Sequence, residues 1–196
     1  MTRNILEEYI YRNKQIIIMI LGMPCATKST FAKMLSKDMK LKIINLNNYI
    51  KKDEYVVEKI ENIKLKMYDH PKNYKWNEIN DEINKLKTDG VIVYGNYIDK
   101  DAINFDIDFI FFMDVNNVQC KKMLIDEKKI PNISDDKINL YLTNYLTPLY
   151  DNLKKNIKIN KFYNIKENTN YDEIYDNMWD YLMKNITDKL KNKKIE

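Results

Sequence analysis

Arginine is almost missing from this chain: Arg3 and Arg12 are the only two, both ahead of the first strongly apolar segment. Planar, bidentate capture of several phosphates or carboxylates is therefore not built in, and cationic work falls to lysine. Cysteine is as scarce. Cys25 and Cys120 lack metal-ligand spacing and suggest no disulfide framework, so a reducing, cytoplasmic setting is expected. No apolar run nears the ~20 residues of a membrane span. The charged start, MTRNILEEYIYRNK, has no signal-peptide core. Glycine occurs three times, as Gly22, Gly90 and Gly95, each at the edge of an apolar segment, where backbone freedom has a use.

What is present fits one domain over residues 1–196. A chain of this length buries roughly 70% of its unfolded surface without staples. The net charge is +4, and much of the excess sits in the tail at Lys189, Lys191, Lys193 and Lys194. A terminal lysine run without interleaved aromatics reads as solvated, so neither nucleic acid nor membrane is expected as a partner.

The most informative stretch is Ile16–Thr30, IIIMILGMPCATKST. Its apolar start reads as a strand buried on both faces. Gly22 breaks the run, and Lys28, Ser29 and Thr30 open a segment with Phe31, Met34, Leu35 and Met39 at helical spacing. Strand, glycine, four residues, one more, then Lys-Ser is the layout of a phosphate-binding loop. The residues expected to touch a nucleotide are Gly22, Met23, Pro24, Cys25, Ala26, Thr27, Lys28, Ser29 and Thr30. Backbone N–H groups of residues 23–29 wrap the anion, Lys28 reaches the β/γ-phosphates, and Ser29 ligates Mg²⁺. ATP and Mg²⁺ are thus the expected cofactors. Thr27 departs from the pattern, which has glycine there. Positive φ at a β-branched residue costs about 1–2 kcal/mol.

Along the chain, residues 1–14 read as a short helix or lead-in, and the helix after the loop runs to about Lys40. Residues 41–46 read as a second strand ended by Asn47 and Asn48, and residues 51–67 as helical. Pro71 excludes helix at His70. Trp76, Ile79, Ile83 and Leu86 form a helical stripe closed by Gly90 as a cap. Residues 91–95 and 109–115 are the third and fourth strands. A basic helix carrying Cys120, Lys121, Lys122 and Met123 runs on to Lys128 and Lys129 and breaks at Pro131. Ser134 or Asp135 starts the next helix, which Pro148 kinks near its end. Residues 161–165 are a fifth strand, and Asn170 with Glu173 begins the last helix with a stripe of Ile174, Met178, Tyr181 and Leu182. Strands alternating with helices, with the phosphate-binding layout after the first strand, predict an α/β three-layer sandwich of the P-loop NTPase type with a five-stranded, mainly parallel sheet.

On these residues the sequence resembles the uridine kinase and nicotinamide riboside kinase group of P-loop nucleoside kinases. Four segments carry the resemblance: GMPCATKSTFAKML, YDHPKNYKWNEI, FIFFMDVNNVQCKKMLIDEKK and NLYLTNYLTPLYDNLKKN. It implies that Asp69 holds the ribose hydroxyls of a small-molecule nucleoside. It implies a structural or base-edge place for His70. It also implies a short lid at about residues 119–134, in which Lys121 and Lys122 stand where the family has an arginine pair and stabilise the moving phosphoryl group. Two family carboxylates are absent. Asn47 stands where the resemblance expects the catalytic base, and Tyr94 where it expects a Glu near the metal. Asp53 is the candidate replacement base, and Asp114 or Asp69 a candidate helper for metal.

Three functions follow, in order. The first is ATP-dependent phosphoryl transfer to the 5′-hydroxyl of a nucleoside. The second is nucleotide binding with weak or no kinase activity, motivated by Thr27, Asn47 and Tyr94. The third is a nucleoside monophosphate kinase, which the lack of arginine disfavours. Base preference, ATP against GTP, and oligomeric state are not encoded in any motif.

Overall fold

The computed structural model describes residues 4–51, 54–126 and 134–192. Arg3, Asp53, Lys128, Lys129, Pro131, Lys193 and Lys194, all singled out above, lie outside the described residues.

The main sheet has five parallel strands in the order β2-β5-β1-β6-β7. These are β1 (Ile17–Gly22), β2 (Lys42–Asn45), β5 (Val91–Gly95), β6 (Phe109–Asp114) and β7 (Lys161–Asn164). All six residues of the central strand β1 are buried, as an apolar run without alternation requires when both sheet faces are covered. Helix α1 (Ile5–Asn13) starts with a capping box between Asn4 and Glu7. Helix α2 (Lys28–Met39) buries Phe31, Ala32, Leu35 and Met39. Helix α3 (Trp76–Leu86) buries Ile79 and Ile83. On the other side of the chain come α4 (Asn117–Asp126), α5 (Asp135–Tyr141), α6 (Thr147–Asn156) and α7 (Tyr171–Asn192). The fold is the expected P-loop kinase-type α/β sandwich.

Four local expectations are corrected. Residues 51–67 are not helical: β3 (Val57–Ile60) pairs antiparallel with β4 (Ile63–Lys66). Val56, Ile60 and Ile63 satisfy a 3.6 period by coincidence, whereas Ile63-Lys64-Leu65-Lys66-Met67 alternates with a period of two. The connecting Glu61 and Asn62 both take positive φ, 46° and 69°, the geometry that a tight hairpin favours. Gly90 does not cap α3, which ends at Lys87 in right-handed geometry. It closes a further turn, donating its N–H to Lys87 at 3.2 Å, and leads into β5. Pro148 sits in the first turn of α6, after a π-helical turn at Leu142–Leu146. Its missing N–H ends regular i→i−4 bonding there, and the wider turn absorbs the break. In α7 the buried stripe is Tyr175, Met178, Leu182, Ile186 and Leu190, one residue out of phase with Ile174 at its start. No helix among the described residues is long and apolar enough to cross a membrane.

The carboxyl ends of β5, β1 and β6 lie side by side, with Leu21 opposite Gly95 and Gly22 opposite Met113. In a doubly wound sheet this edge is where ligands bind. Gly22 has φ +145°, and a Cβ there would lie 1.9 Å from the Met113 carbonyl oxygen. Backbone cannot step aside as a side-chain tip can. The Gly22→Ala variant is expected to lose about 3–5 kcal/mol of unfolding free energy, or to fail to fold. Chemical denaturation against wild type measures this, and a loss below about 1 kcal/mol contradicts it.

Candidate active site

After Gly22 the chain turns sharply. The Met23 N–H still bonds the Met113 carbonyl at 3.2 Å, and the Ala26 N–H closes a turn onto the Met23 carbonyl at 3.3 Å. Cys25 and Thr27 take φ of 67° and 50°, and α2 begins at Lys28. The expectation that the amides from 23 to 29 are available is therefore corrected: Pro24 carries no N–H, and those of Met23 and Ala26 are engaged by the protein's own carbonyls. The first amides of a helix have no intrahelical acceptor, and those of Thr27 and Ser29 find no backbone carbonyl among the described residues. They sit at the positive end of the α2 dipole.

Lys28 is 6% exposed, and its ammonium donates to the Met23 carbonyl at 2.6 Å. The charge is held inside the bend, above the sheet edge. Thr27 does have the left-handed conformation that glycine would take more cheaply. Its hydroxyl neither caps α2 nor finds any other partner, although it is buried.

Loop residues 25–30 line a cleft of about 270 Å³, together with Asn47, Tyr94, Asn96 and Met123. Asn47 reaches it from a single 3₁₀ turn at Leu46–Tyr49, placed by an Asx bond from the Asn47 N–H to Asn45 Oδ1 at 3.0 Å. Tyr94 and Asn96 come from the end of β5. Lys28 is the only charged side chain among these lining residues.

Asp69 lies outside that lining and is 4% exposed. Asn96 Nδ2 donates to its Oδ1 at 2.6 Å, and the Tyr141 hydroxyl donates to its Oδ2 at 3.1 Å. Burial pushes the Asp69 carboxyl up, while these two hydrogen bonds and the nearby Lys28 charge pull it back. A carboxylate open to a sugar diol is thus not what the structure presents; protein donors already hold both oxygens. His70 is a cap. Its Nδ1 accepts the Lys72 N–H at 3.1 Å, and the ring stacks on Tyr145 with centroids 6.4 Å apart. Partial burial lowers its pKa, against the pull of Glu58.

The lid lysines point elsewhere. Lys121 pairs with Asp135 at 3.4 Å, Lys122 with Glu167 at 3.0 Å, and neither lines the cleft. Asp114 is held by Lys154 at 3.3 Å and also lies outside it, so the suggestion that Asp114 helps with metal has no geometric support. Asn96 was not anticipated from sequence. Its one signal is position: it directly follows Gly95 at the carboxyl end of a strand beside β1, where site residues collect.

Replacing Thr27 by glycine removes the positive-φ strain and the orphaned hydroxyl. The more flexible unfolded chain offsets about 0.4–1 kcal/mol of that gain. Thr27→Gly is therefore expected to raise stability by about 1 kcal/mol in denaturant unfolding, a direction that a loss of stability contradicts.

No family model and no curated protein matches this chain. Solved structures do. A shikimate kinase from Acinetobacter baumannii, in complex with shikimate, aligns with TM-score 0.55 and 12% identity over 90% of this chain and 98% of that one. A thymidylate kinase from Candida albicans aligns with TM-score 0.51 and 13% identity over 87% of this chain and 92% of that one. A structure described as that of a possible uridine kinase from Bacillus stearothermophilus reaches TM-score 0.47 and 10% identity, over 81% and 98%, too slight to carry an argument. At these identities the likeness establishes the fold alone.

Proposed function

We propose that this chain is an ATP-dependent kinase that transfers the γ-phosphoryl group to a hydroxyl of an uncharged, nucleoside-like acceptor. The observation that carries the reading is the charge of the cleft. A bend with two unengaged amides, a helix N-terminus and Lys28 suits one polyphosphate. The rest of the wall, Asn47, Tyr94, Asn96 and Met123, is neutral, and the first three carry hydrogen-bonding groups. An acceptor that is itself a phosphate or carboxylate brings a second anion, for which the described cleft residues offer no counter-charge. This favours a nucleoside over a nucleoside monophosphate. Lys121 and Lys122 contribute only by leaving Asp135 and Glu167, and exposed pairs of this kind are weak.

The residues present fit a nucleotide-borne Mg²⁺. This ion keeps several waters and takes one or two protein oxygens plus substrate phosphates. Ser29, beside the unengaged amides, would supply the one hydroxyl. Among the described residues no group of three or more His, Cys, Asp or Glu forms a separate metal site. When bound, the ion neutralises charge on the β/γ-phosphates. The protein's own part is to hold the nucleotide through the Thr27 and Ser29 amides, to bring the Lys28 ammonium forward from Met23, and to orient the acceptor. Phosphoryl transfer depends largely on such positioning and electrostatics.

A second reading, nucleotide binding with little turnover, is favoured by one observation: among the described residues no carboxylate lines the cleft. General-base help is worth typically 10²–10⁴-fold, and Asn47 cannot supply it.

A panel of ribosides with ATP and Mg²⁺ is expected to give riboside-dependent ADP formation. Lys28→Ala should lower it by roughly 10²-fold or more. Asn47→Asp should raise turnover roughly tenfold or more and add an acid limb to the pH profile near a carboxylate's ordinary pKa of about 4. Tight Mg·ATP binding without riboside-dependent ADP selects the second reading. Preference for monophosphate acceptors overturns the neutral-acceptor assignment.

A further inference from the structure

One polar group at the cleft is aimed by the protein itself. Asn96 Nδ2 donates to Asp69 Oδ1 at 2.6 Å. With the amide nitrogen turned to Asp69, the Asn96 carbonyl oxygen is turned away from the carboxyl group. The Tyr141 hydroxyl fixes the other Asp69 oxygen at 3.1 Å. Both partners are buried, Tyr141 at 1% and Asp69 at 4% exposure, so the pair is a rigid mount. The Asn96 carbonyl oxygen takes no donor from the described residues, and Asn96 is among the residues that line the same cleft as Lys28. Donation to a carboxylate polarises the amide and makes that oxygen a stronger acceptor.

We propose that Asn96 is the residue that recognises the acceptor's hydroxyl, with Asp69 and Tyr141 as the positioning pair that aims it. The inference rests on the kinase reading above and deepens it. A carbonyl oxygen accepts from an O–H and repels a phosphate or carboxylate oxygen. Asn96 therefore selects hydroxyl over anion as well as orienting the nucleophile. It removes no proton, because an amide has no basicity to do so. As the bond from the acceptor oxygen to the γ-phosphorus forms and the bond from that phosphorus to the ADP oxygen breaks, the hydroxyl proton passes to an oxygen of the transferred phosphoryl group and ADP leaves. Asp69, on this account, acts on the acceptor through Asn96 and not by direct contact.

The test is calorimetric titration of wild type, Asn96→Ala and Tyr141→Phe. Each is titrated first with Mg·AMP-PNP and then, when saturated, with uridine and with uridine monophosphate. Wild type is expected to bind uridine at least roughly tenfold more tightly than its monophosphate. Asn96→Ala should weaken uridine by roughly tenfold, and Tyr141→Phe, which keeps the ring and loses only the hydroxyl, by roughly threefold. AMP-PNP affinity should stay within about twofold throughout. Unchanged uridine binding in Asn96→Ala overturns the proposal. So does a parallel loss of AMP-PNP affinity, which would make Asn96 a support of the loop. Absence of uridine binding to wild type also overturns it, and the AMP-PNP titration then decides separately whether the phosphate-loop reading survives.

Discussion

The close approach of Gly22 to the Met113 carbonyl governs this structure. With no side chain on Gly22, β1 stays in register with β6 up to its last residue. The chain can then turn immediately above the sheet edge instead of running past it. The Met23 N–H continues the ladder for one more bond to the same carbonyl. From that anchor the two left-handed residues, Cys25 and Thr27, bring the start of α2 round to face the carboxyl ends of the strands. The bend, the dipole and the Lys28 ammonium are where they are because one backbone contact leaves no room for a Cβ.

A single division of labour follows around that bend. Charge is concentrated on Lys28, while the facing wall is made of amides and a phenol. Asp69, a carboxylate near Lys28, is withdrawn below the surface and tied by two donors. Left unpaired, a buried charge of this kind is costly. Satisfied by Asn96 and Tyr141, it links the segment before α3, the end of β5 and the last turn of α5. Among the described residues the buried hydroxyls of Thr27, Tyr74, Tyr145 and Tyr150 find no such partner.

The strand, bend and helix from Ile17 to Met39 were legible in the sequence because their signals are local: an apolar run, a glycine, and Lys-Ser opening a helical period. The five sheet strands were legible for the same reason, each being a short apolar run bounded by polar residues. The β3–β4 hairpin was not, since Val56, Ile60 and Ile63 fit a helical period and its turn uses Glu61 and Asn62 where glycine would have given it away. Thr27's positive φ was anticipated only as a condition, because a β-branched residue normally argues against it. The role of Asn96 was hidden more deeply. It depends on Asp69, 27 positions earlier, and through it on Tyr141, 72 positions beyond Asp69. The same holds for Lys121 and Lys122, whose pattern suggested a phosphate grip and whose partners, Asp135 and Glu167, are set by how the helices pack.

The central claim is that the bend between β1 and α2 holds a polyphosphate through amides that the protein leaves unengaged. Backbone amide shifts of ¹⁵N-labelled protein, followed during titration with Mg·AMP-PNP, test this most directly. The account predicts the largest changes at Thr27 and Ser29, with little change at Met23, whose N–H is already bound to Met113. Changes centred instead on the larger groove lined by Asn104, Asp106, Asp108 and Lys189 at the opposite edge of the sheet, with the loop amides unmoved, would contradict it.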